Sequence, residues 1–455
     1  MERRIFIKKS TAGVSALTLG TTSLLASSSS SFLGANDKIV LAIIGAGDRG
    51  RGTIIDTCKV NDNVTIKTVC DVNNLKAGRT IDQVEKELGY KPIHVKNMKE
   101  VFDDKDIDAV WISTPEHWHA LATVWACQAG KDVYVEKNPS INIWEGRKMV
   151  EAANKYNRIV QVGFQNRSAP YGFSAKAYIQ SGKLGKVVHV KSYNMLGGSK
   201  WMAQPDGEAP EGLDWDAWLG PAPYHPYNPG IHDMKNRGGW GSYWAYSGGT
   251  LADDASHVVD LARMVLGDPG HPKSVYGWGG NNAWGSERET PEFQSINYDF
   301  GEFTLTCESG NATNYIKKTP VPIRKSNSQF PDWAQNATRT EIYGTEGMMY
   351  LGRHGGGWQV FGKDGEVLAQ EYGIVPDIYH QQDFIACLRS RKQPNGSVEE
   401  GHKSATLIHL GNIAYRVGNK QLYFDGKKER FIGNEDANRL LKTEYRENYK
   451  IPETV

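Results

Sequence analysis

The stretch KIVLAIIGAGDRG, residues 38–50, decides the fold. A run of apolar, β-branched residues ends directly in the glycine-rich segment GAGDRG, and a helical pattern follows. In such a turn the first glycine permits the tight bend, the second lets a pyrophosphate approach the backbone, and the third lets the helix pack against the strand. The free N–H groups at the helix N-terminus attract phosphates. The stretch therefore predicts a dinucleotide-binding turn, and a merely structural glycine turn is the alternative.

The acidic residue that accompanies such a turn ends the next predicted strand, residues 64–71. Asp71 lies 21 positions after Gly50. A carboxylate here accepts hydrogen bonds from the adenosine ribose and repels a 2′-phosphate, which favours NAD over NADP. The alternative is an ordinary aspartate that caps the following helix.

Length and charge limit the possible functions. A chain of 455 residues suggests two domains. The net charge of +1, with both signs interspersed, gives no indication of nucleic-acid binding. The five cysteines contain no CxxC and no disulfide spacing, so buried free thiols are expected.

The N-terminus has the features of an export signal. Glu2-Arg3-Arg4-Ile5-Phe6-Ile7-Lys8 precedes an apolar, small-residue stretch over 11–26 that is too short for a membrane span. The paired arginines resemble a twin-arginine signal. We therefore expect a periplasmic protein without an integral membrane span after signal removal; an uncleaved basic tail is the alternative. Because no free nicotinamide pool is expected there, the cofactor should be tightly bound.

Residues 113–139, STPEHWHALATVWACQAGKDVYVEKNP, resemble the central signature of the Gfo/Idh/MocA oxidoreductases, the glucose–fructose oxidoreductase and inositol dehydrogenase family. The matching positions are Thr114, Pro115, His119, Ala129, Gly130, Lys131, Glu136 and Lys137; Asn138 is inserted before the final proline. The resemblance implies that Lys137 lies beside the nicotinamide and the reacting hydroxyl, with Glu136 near the carboxamide. A strand-end lysine also suits the ligand crevice of a parallel sheet, and desolvation there would lower its pKa.

A second segment, residues 247–267, resembles the family's G-G-G…D-x-x-x-H-x-x-D motif. Asp253, His257 and Asp260 would share one helix face, where carboxylates can orient a histidine and set its basicity. The resemblance implies that His257 is the general acid/base and that Asp253 binds substrate and assists it. Asp254 and Ala255 stand where relatives often have Trp-Gly, so substrate shape is expected to differ.

These patterns give a set of candidate site residues. The candidate catalytic residues are Lys137, His257 and Asp253. The candidate cofactor-binding residues are Gly45, Gly47, Asp48, Arg49, Gly50, Asp71, Thr114, Pro115, His119, Glu136, Lys137 and Gln165. The candidate substrate-binding residues are Arg167, Trp240, Asp253 and His257, with Trp240 in an aromatic, proline-rich loop over 199–247 that suits sugar faces. No metal site is expected, since His117 and His119 lack a partner at ligand spacing.

The expected fold is α/β: an N-terminal Rossmann dinucleotide-binding domain and a C-terminal α+β domain with a large, mostly antiparallel open sheet. We divide the chain into an export signal and linker (1–32), an NAD-binding domain (33–167), a substrate and oligomerisation domain (168–433) and a surface or subunit-contact tail (434–455). The resemblance implies a homodimer or homotetramer formed through the open sheet face.

The sequence favours an exported NAD-dependent oxidoreductase that transfers hydride between a sugar or glycoside ring hydroxyl, C3 being one candidate, and a bound nicotinamide. One alternative is an NAD-dependent glycosidase that works by transient oxidation, elimination and re-reduction. A second is a non-catalytic sugar-binding protein. Release of an aglycone would separate the first two.

Overall fold

A computed structural model describes residues 38–232, 238–418 and 420–455. The predicted export signal lies outside these described residues.

The first domain is built on a six-stranded parallel sheet. Its strands are β1 (Ile39–Ile44), β2 (Val64–Cys70), β3 (Ile93–Val95), β4 (Ala109–Ile112), β5 (Asp132–Val135) and β6 (Val160–Val162). They lie in the order β3-β2-β1-β4-β5-β6, and all pair in parallel. The order reverses between β1 and β4, where open sheets of this kind bind dinucleotides. The predicted Rossmann domain is confirmed.

Helices cover both faces of this sheet. They are α1 (Asp48–Val60), α2 (Asn74–Leu88), α3 (Met98–Asp103), α4 (Glu116–Gln128) and α5 (Ile143–Lys155). Strands buried on both faces read as continuous apolar runs, and the AVWI of β4 is wholly buried. The ring of Trp111 in β4 stacks on that of Tyr134 in β5 with centroids 3.6 Å apart.

The second domain contains a ten-stranded sheet. Its strands are β7 (Val187–Met195), β8 (Ser274–Gly280), β9 (Phe293–Asp299), β10 (Thr304–Gly310), β11 (Thr338–Gly344), β12 (Met348–Gly352), β13 (Trp358–Phe361), β14 (Val367–Glu371), β15 (Leu422–Asp425) and β16 (Arg430–Ile432). The order is β14-β13-β12-β11-β7-β10-β9-β8-β15-β16. Only the β7–β10 pair in this described sheet is parallel, which confirms the mostly antiparallel prediction.

Helices of the second domain cover one face of that sheet and reach the first domain. They are α6 (Pro170–Gln180), α7 (Trp215–Leu219), α8 (Pro229–His232), α9 (Ser256–Val265), α10 (Val321–Arg324), α11 (Asp377–Ser390), α12 (Val398–Val417) and α13 (Glu435–Arg439). The buried side of the sheet packs on α9 and α12. In turn, α12 packs on α5 and α11 on α1, so the two domains share an extensive interface.

The C-terminal tail, expected at the surface or at a subunit contact, packs on the Rossmann domain. Ile451 and Val455 are buried in the same apolar cluster as Val133 and Met149. Lys155 Nζ donates to the Val455 carbonyl oxygen at 2.5 Å. Ala437 in the same tail is buried in the second-domain core, so apolar side chains at both ends of the segment account for its packing. No helix among the described residues is long and apolar enough to cross a membrane.

Candidate active site

The glycine turn fits a dinucleotide pyrophosphate. Gly45 has φ +90°, and a Cβ there would lie 2.7 Å from the backbone of Ser113, which follows β4. A Cβ on Gly50 would lie 2.6 Å from the Gly45 carbonyl oxygen. A Cβ on Gly47 would meet nothing within 4 Å, so this position faces open space. The first and third glycines permit close packing, and the second leaves room for phosphate.

Asp71 lies beside the same turn. Its Oδ2 accepts a hydrogen bond from the Ala46 N–H at 2.6 Å, and its Oδ1 accepts from the Asn73 N–H at 2.8 Å. The cap of α2 is Asn73, whose side chain accepts from the Leu75 N–H. Because Asn73 caps the helix, the carboxylate of Asp71 is directed to the turn, where an adenosine ribose would lie.

Residues that follow β1, β4 and β5 hold one another in place. His119 places one ring nitrogen 2.8 Å from the Thr114 carbonyl oxygen and the other 2.7 Å from that of Asn138. Arg49 Nε donates to Glu136 at 2.9 Å. These contacts tie the glycine turn and the β4 loop to the loop that carries Lys137. The Lys137–Asn138 peptide bond is cis.

A cleft of about 1200 Å³ runs between the domains from the glycine turn. Single small-molecule pockets are commonly roughly 300–1,000 Å³, so this cleft has room for a dinucleotide and a substrate. The predicted site residues that line it are Gly45, Gly47, Asp48, Arg49, Gly50, Asp71, Thr114, Pro115, His119, Glu136, Lys137, Gln165, Trp240, Asp253 and His257.

Lys137 is held by Asp253 across the cleft. Its Nζ donates to the Asp253 carboxylate at 2.6 Å and to the Asp253 carbonyl oxygen at 2.7 Å. Burial opposes the charged form of the lysine, but Asp253, Asp254 and Glu116 outweigh it and raise the Lys137 pKa. The expected lowering by desolvation is therefore wrong in direction. Lys137 is a stable cation, suited to neutralising negative charge on a substrate oxygen.

His257 is a buried, neutral imidazole at the same end of the cleft. Burial lowers its pKa well below the ordinary value, and Arg353 and Lys137 lower it further. Nδ1 is buried and has no hydrogen-bond partner among the described residues. The ring of Phe164 lies edge-on to it, with centroids 5.8 Å apart. A neutral imidazole can accept a proton at pH 7.

The expected flanking of His257 by Asp253 and Asp260 is not what the structure has. Asp253 lies in a π-helical turn, Leu251–Ala255, that precedes α9. The wider turn shifts Asp253 off the helical face of His257 and towards Lys137. Asp260 instead contacts Arg167 and Ser404.

Arg167 is the predicted substrate-binding residue that lies outside the cleft. Its Nε donates to Asp260 at 2.6 Å and its Nη2 donates to Asp268 at 3.0 Å. The side chain is 3% exposed, so a substrate would have to displace a buried ion pair to reach it. The assignment to substrate is therefore corrected to a structural role.

Family models match most of the chain. One, described as an oxidoreductase family with an NAD-binding Rossmann fold, matches residues 39–164. The other, the C-terminal alpha/beta domain of that family, matches residues 175–277 and 323–451. The chain belongs to the Gfo/Idh/MocA oxidoreductase family. It is thus an oxidoreductase with NAD as cofactor, as the glycine turn and Asp71 indicate.

Individual relatives of this Gfo/Idh/MocA protein are distant. A scyllo-inositol 2-dehydrogenase (NAD(+)) of Bacillus subtilis is 27% identical over 339 residues, which is 72% of this chain and 80% of the relative. An alpha-N-acetylgalactosaminidase of Shewanella oneidensis is 27% identical over 123 residues, which is 26% of this chain and 27% of the relative. A solved levoglucosan dehydrogenase, in complex with NADH and levoglucosan, is 17% identical with a TM-score of 0.61, covering 87% of this chain and 99% of that one.

Sequence reasoning missed a group of charged side chains at the substrate end of this Gfo/Idh/MocA cleft. Those that line the cleft are Asp254, Lys318, Arg324, Arg353 and His354. The pair Arg353-His354 directly follows the end of β12 and precedes three glycines. This is the one local signal in the sequence that could have indicated the charged group. The other cations come from an irregular segment between β10 and β11.

Glu116 was missed as well. It is buried at the start of α4, accepts from the Gly248 N–H at 3.3 Å, and burial raises its pKa to about 7. Its charge acts on Lys137. Within the described ranges, no group of three or more His, Cys, Asp or Glu side chains is placed to hold a metal ion.

Proposed function

We propose that the chain is an exported, NAD-dependent oxidoreductase that oxidises a ring hydroxyl, such as that at C3, of a sugar or glycoside. One observation carries the proposal: a fixed cation, Lys137, and a neutral buried base, His257, line the cleft that begins at the glycine turn. Oxidation of a hydroxyl needs both a base and a partner for the oxygen.

The glycine turn and Asp71 would hold the pyrophosphate and the ribose of NAD, and the resemblance implies that Glu136 would lie near the carboxamide. A nicotinamide bound there would supply the acceptor for the hydride that leaves the carbon bearing the hydroxyl. His257, which burial keeps neutral, takes the hydroxyl proton. Lys137 donates a hydrogen bond to the same oxygen and stabilises its developing negative charge. The reverse steps, with a keto-sugar as acceptor, restore the starting state.

A segment of the second domain supports tight retention of the cofactor. The Asp214 N–H donates to the Val72 carbonyl oxygen, and the Asn74 N–H donates to that of Gly212, both at 3.0 Å. These bonds place residues 212–214 over the end of β2, next to Asp71. A segment fixed there would restrict the release of an adenosine bound beside Asp71. We expect NAD to remain with the purified protein through dialysis; a protein that loses it freely would contradict resident binding.

The export part of the proposal rests on Arg3 and Arg4. The double variant Arg3→Lys/Arg4→Lys should accumulate in the cytoplasmic fraction, whereas the unchanged chain should reach the periplasm. Equal distribution of the two would contradict twin-arginine export.

The proposed homodimer or homotetramer uses the open face of the second sheet. Trp278 and Tyr276 on β8 and Tyr423 on β15 are exposed, and aromatic residues are enriched at interfaces. Light scattering should give a mass of two or four chains. A monomer at micromolar concentration would contradict this assembly.

The alternative is an NAD-dependent glycosidase, favoured by the 123-residue match to a galactosaminidase. Mixing the holoprotein with a chromogenic glycoside separates the two. The oxidoreductase gives the absorbance of reduced nicotinamide without aglycone release, and the glycosidase releases aglycone without net reduction. Neither signal across a broad panel of sugars and glycosides would contradict both.

A further inference from the structure

Three cations surround a single carboxylate on the second-domain wall of the cleft. Asp254 contacts Lys318 Nζ, and its Oδ1 lies 3.5 Å from Arg353 Nη2. Arg324 lines the same cleft, and the charges of Arg353 and Asp254 act on its guanidinium. Within this cluster three cations face one carboxylate. Asp253 and Asp377 also line the cleft, but they pair with Lys137 and Arg49 of the first domain.

The hydrogen-bonding capacity of these cations is not fully used. Arg353 has a buried Nε with no hydrogen-bond partner among the described residues. Arg324 donates its Nε to the Thr319 carbonyl oxygen at 2.6 Å, and no carboxylate of the described chain lies within ion-pair distance of its guanidinium. Burial and repulsion from Arg353 lower the Arg324 pKa. An anion between the two arginines would relieve this repulsion and accept their free N–H groups.

The phosphates of the cofactor are not that anion. The pyrophosphate site is the N-terminus of α1, and a 2′-phosphate would lie beside Asp71; both belong to the first domain. The cations instead belong to the second domain and adjoin the Lys137–Asp253 contact through Asp254. Arg353 is also close enough to His257 to lower its pKa, after burial itself. The cluster therefore faces the position of the reacting sugar.

We propose that Arg324, Arg353 and Lys318 form a subsite for an anionic group on the substrate, so that the enzyme acts on acidic sugars. This inference rests on the proposed function. A guanidinium pair suits a carboxylate through parallel N–H donors, which makes a uronic acid or its glycoside the substrate class; a sulfate ester offers the same charge and is distinguished by the test.

The test compares three probes on the holoprotein: methyl β-D-glucuronoside, methyl β-D-glucoside and methyl β-D-glucoside 6-sulfate. Wild-type protein should show a kcat/KM at least about tenfold higher for an anionic probe than for the neutral one, since a charge-assisted contact is worth about 10- to 100-fold. The better anionic probe identifies the group. No preference for either anionic probe over the neutral glucoside overturns the subsite while leaving the proposed oxidation intact.

Two variants locate the effect. Arg324→Gln should reduce the preference for the anionic probe by about 10- to 100-fold. Lys325→Gln, an exposed neighbour that does not line the cleft, is the matched control and should leave the preference unchanged. An equal loss for charged and neutral probes in Arg324→Gln contradicts the subsite.

A binding measurement separates failure of the subsite from failure of the proposed function. If no probe is oxidised, the proposed function fails, and calorimetric binding of the glucuronoside and the sulfate to the holoprotein decides the subsite. Binding that weakens about 10- to 100-fold in Arg324→Gln but not in Lys325→Gln upholds it. Absent binding, or equal weakening in both variants, overturns it.

Discussion

Two ion pairs join the carboxyl ends of Rossmann strands to one short stretch of the second domain. In Lys137–Asp253 and in Arg167–Asp260, nitrogen and oxygen are 2.6 Å apart. The Asp253 side chain is 68% exposed to the cleft, whereas the Arg167 and Asp260 side chains are 3% and 0% exposed. The two pairs have the same distance but different roles. Lys137–Asp253, the open pair, can contact a substrate, whereas Arg167–Asp260, the sealed pair, can only stabilise the fold.

The largest expected effect tests the sealed pair. Arg167→Met should lower the free energy of unfolding by about 3–5 kcal/mol, because Asp260 would be left as a buried charge without its cation. Urea unfolding measures this. The double variant Arg167→Met/Asp260→Leu should recover most of the loss. If Arg167→Met has normal stability but a raised KM for sugar, Arg167 contacts the substrate after all.

The open pair should give the opposite result. Lys137→Ala should retain NAD and lose at most about 1 kcal/mol of stability, as expected for a partly exposed pair. Turnover should fall by about 10²- to 10³-fold, since one preorganised donor to the reacting oxygen is lost. Rapid kinetics on the holoprotein measures this. Unchanged turnover would remove Lys137 from the mechanism.

Glu145 gives a third case for this comparison, a buried acid that accepts hydrogen bonds from neutral groups. Glu145 accepts from the Ile141 N–H and the Tyr445 hydroxyl, and burial raises its pKa to about 7. The folded protein therefore holds a proton that the unfolded chain releases near pH 4.5, and stability falls as pH rises from about 4.5 to 7. Glu145→Gln should remove this loss, with a gain of up to about 3 kcal/mol at pH 8 and none at pH 4. If Glu145→Gln and the wild-type protein differ in free energy of unfolding by the same amount at pH 4 and at pH 8, Glu145 does not cause the pH dependence.

The smallest expected effect comes from Asp253→Asn. The Asp253 carbonyl oxygen still accepts from Lys137 Nζ, at 2.7 Å, so we expect only about a tenfold loss of turnover. Because Asp253 is the largest of the charges that raise the Lys137 pKa, the alkaline limb of the pH–rate profile should move to lower pH. An alkaline limb at the same pH in variant and wild type would show that the Asp253 charge does not raise the Lys137 pKa.

Local patterns were sufficient to propose the cofactor half of the site. The turn at Gly45, the carboxylate of Asp71 and the lysine after β5 depend on a strand and the residues next to it, so a few consecutive positions contain the information. The chain length suggested two domains, and the strand patterns together with the family resemblance predicted the mostly antiparallel second sheet.

The substrate half of the site was harder to predict from the sequence. Lys318 and Arg324 lie between β10 and β11, whereas Arg353 follows β12. Only the fold brings Arg353 near the other two, so no local spacing predicts the cluster. The strand-end position of Arg167 gave no indication that its side chain turns away from the cleft. The ideal i, i+4, i+7 spacing of Asp253, His257 and Asp260 assumed an unbroken α-helix, which the π-helical turn interrupts.

Isotope transfer tests the central claim, oxidation of a sugar hydroxyl by the bound cofactor, most directly. The holoprotein is mixed with a glycoside deuterated at its ring carbons and quenched, and the released nicotinamide is analysed by mass spectrometry. The account predicts deuterium in the nicotinamide of the wild-type protein. An unlabelled nicotinamide after the glycoside has been consumed would contradict it.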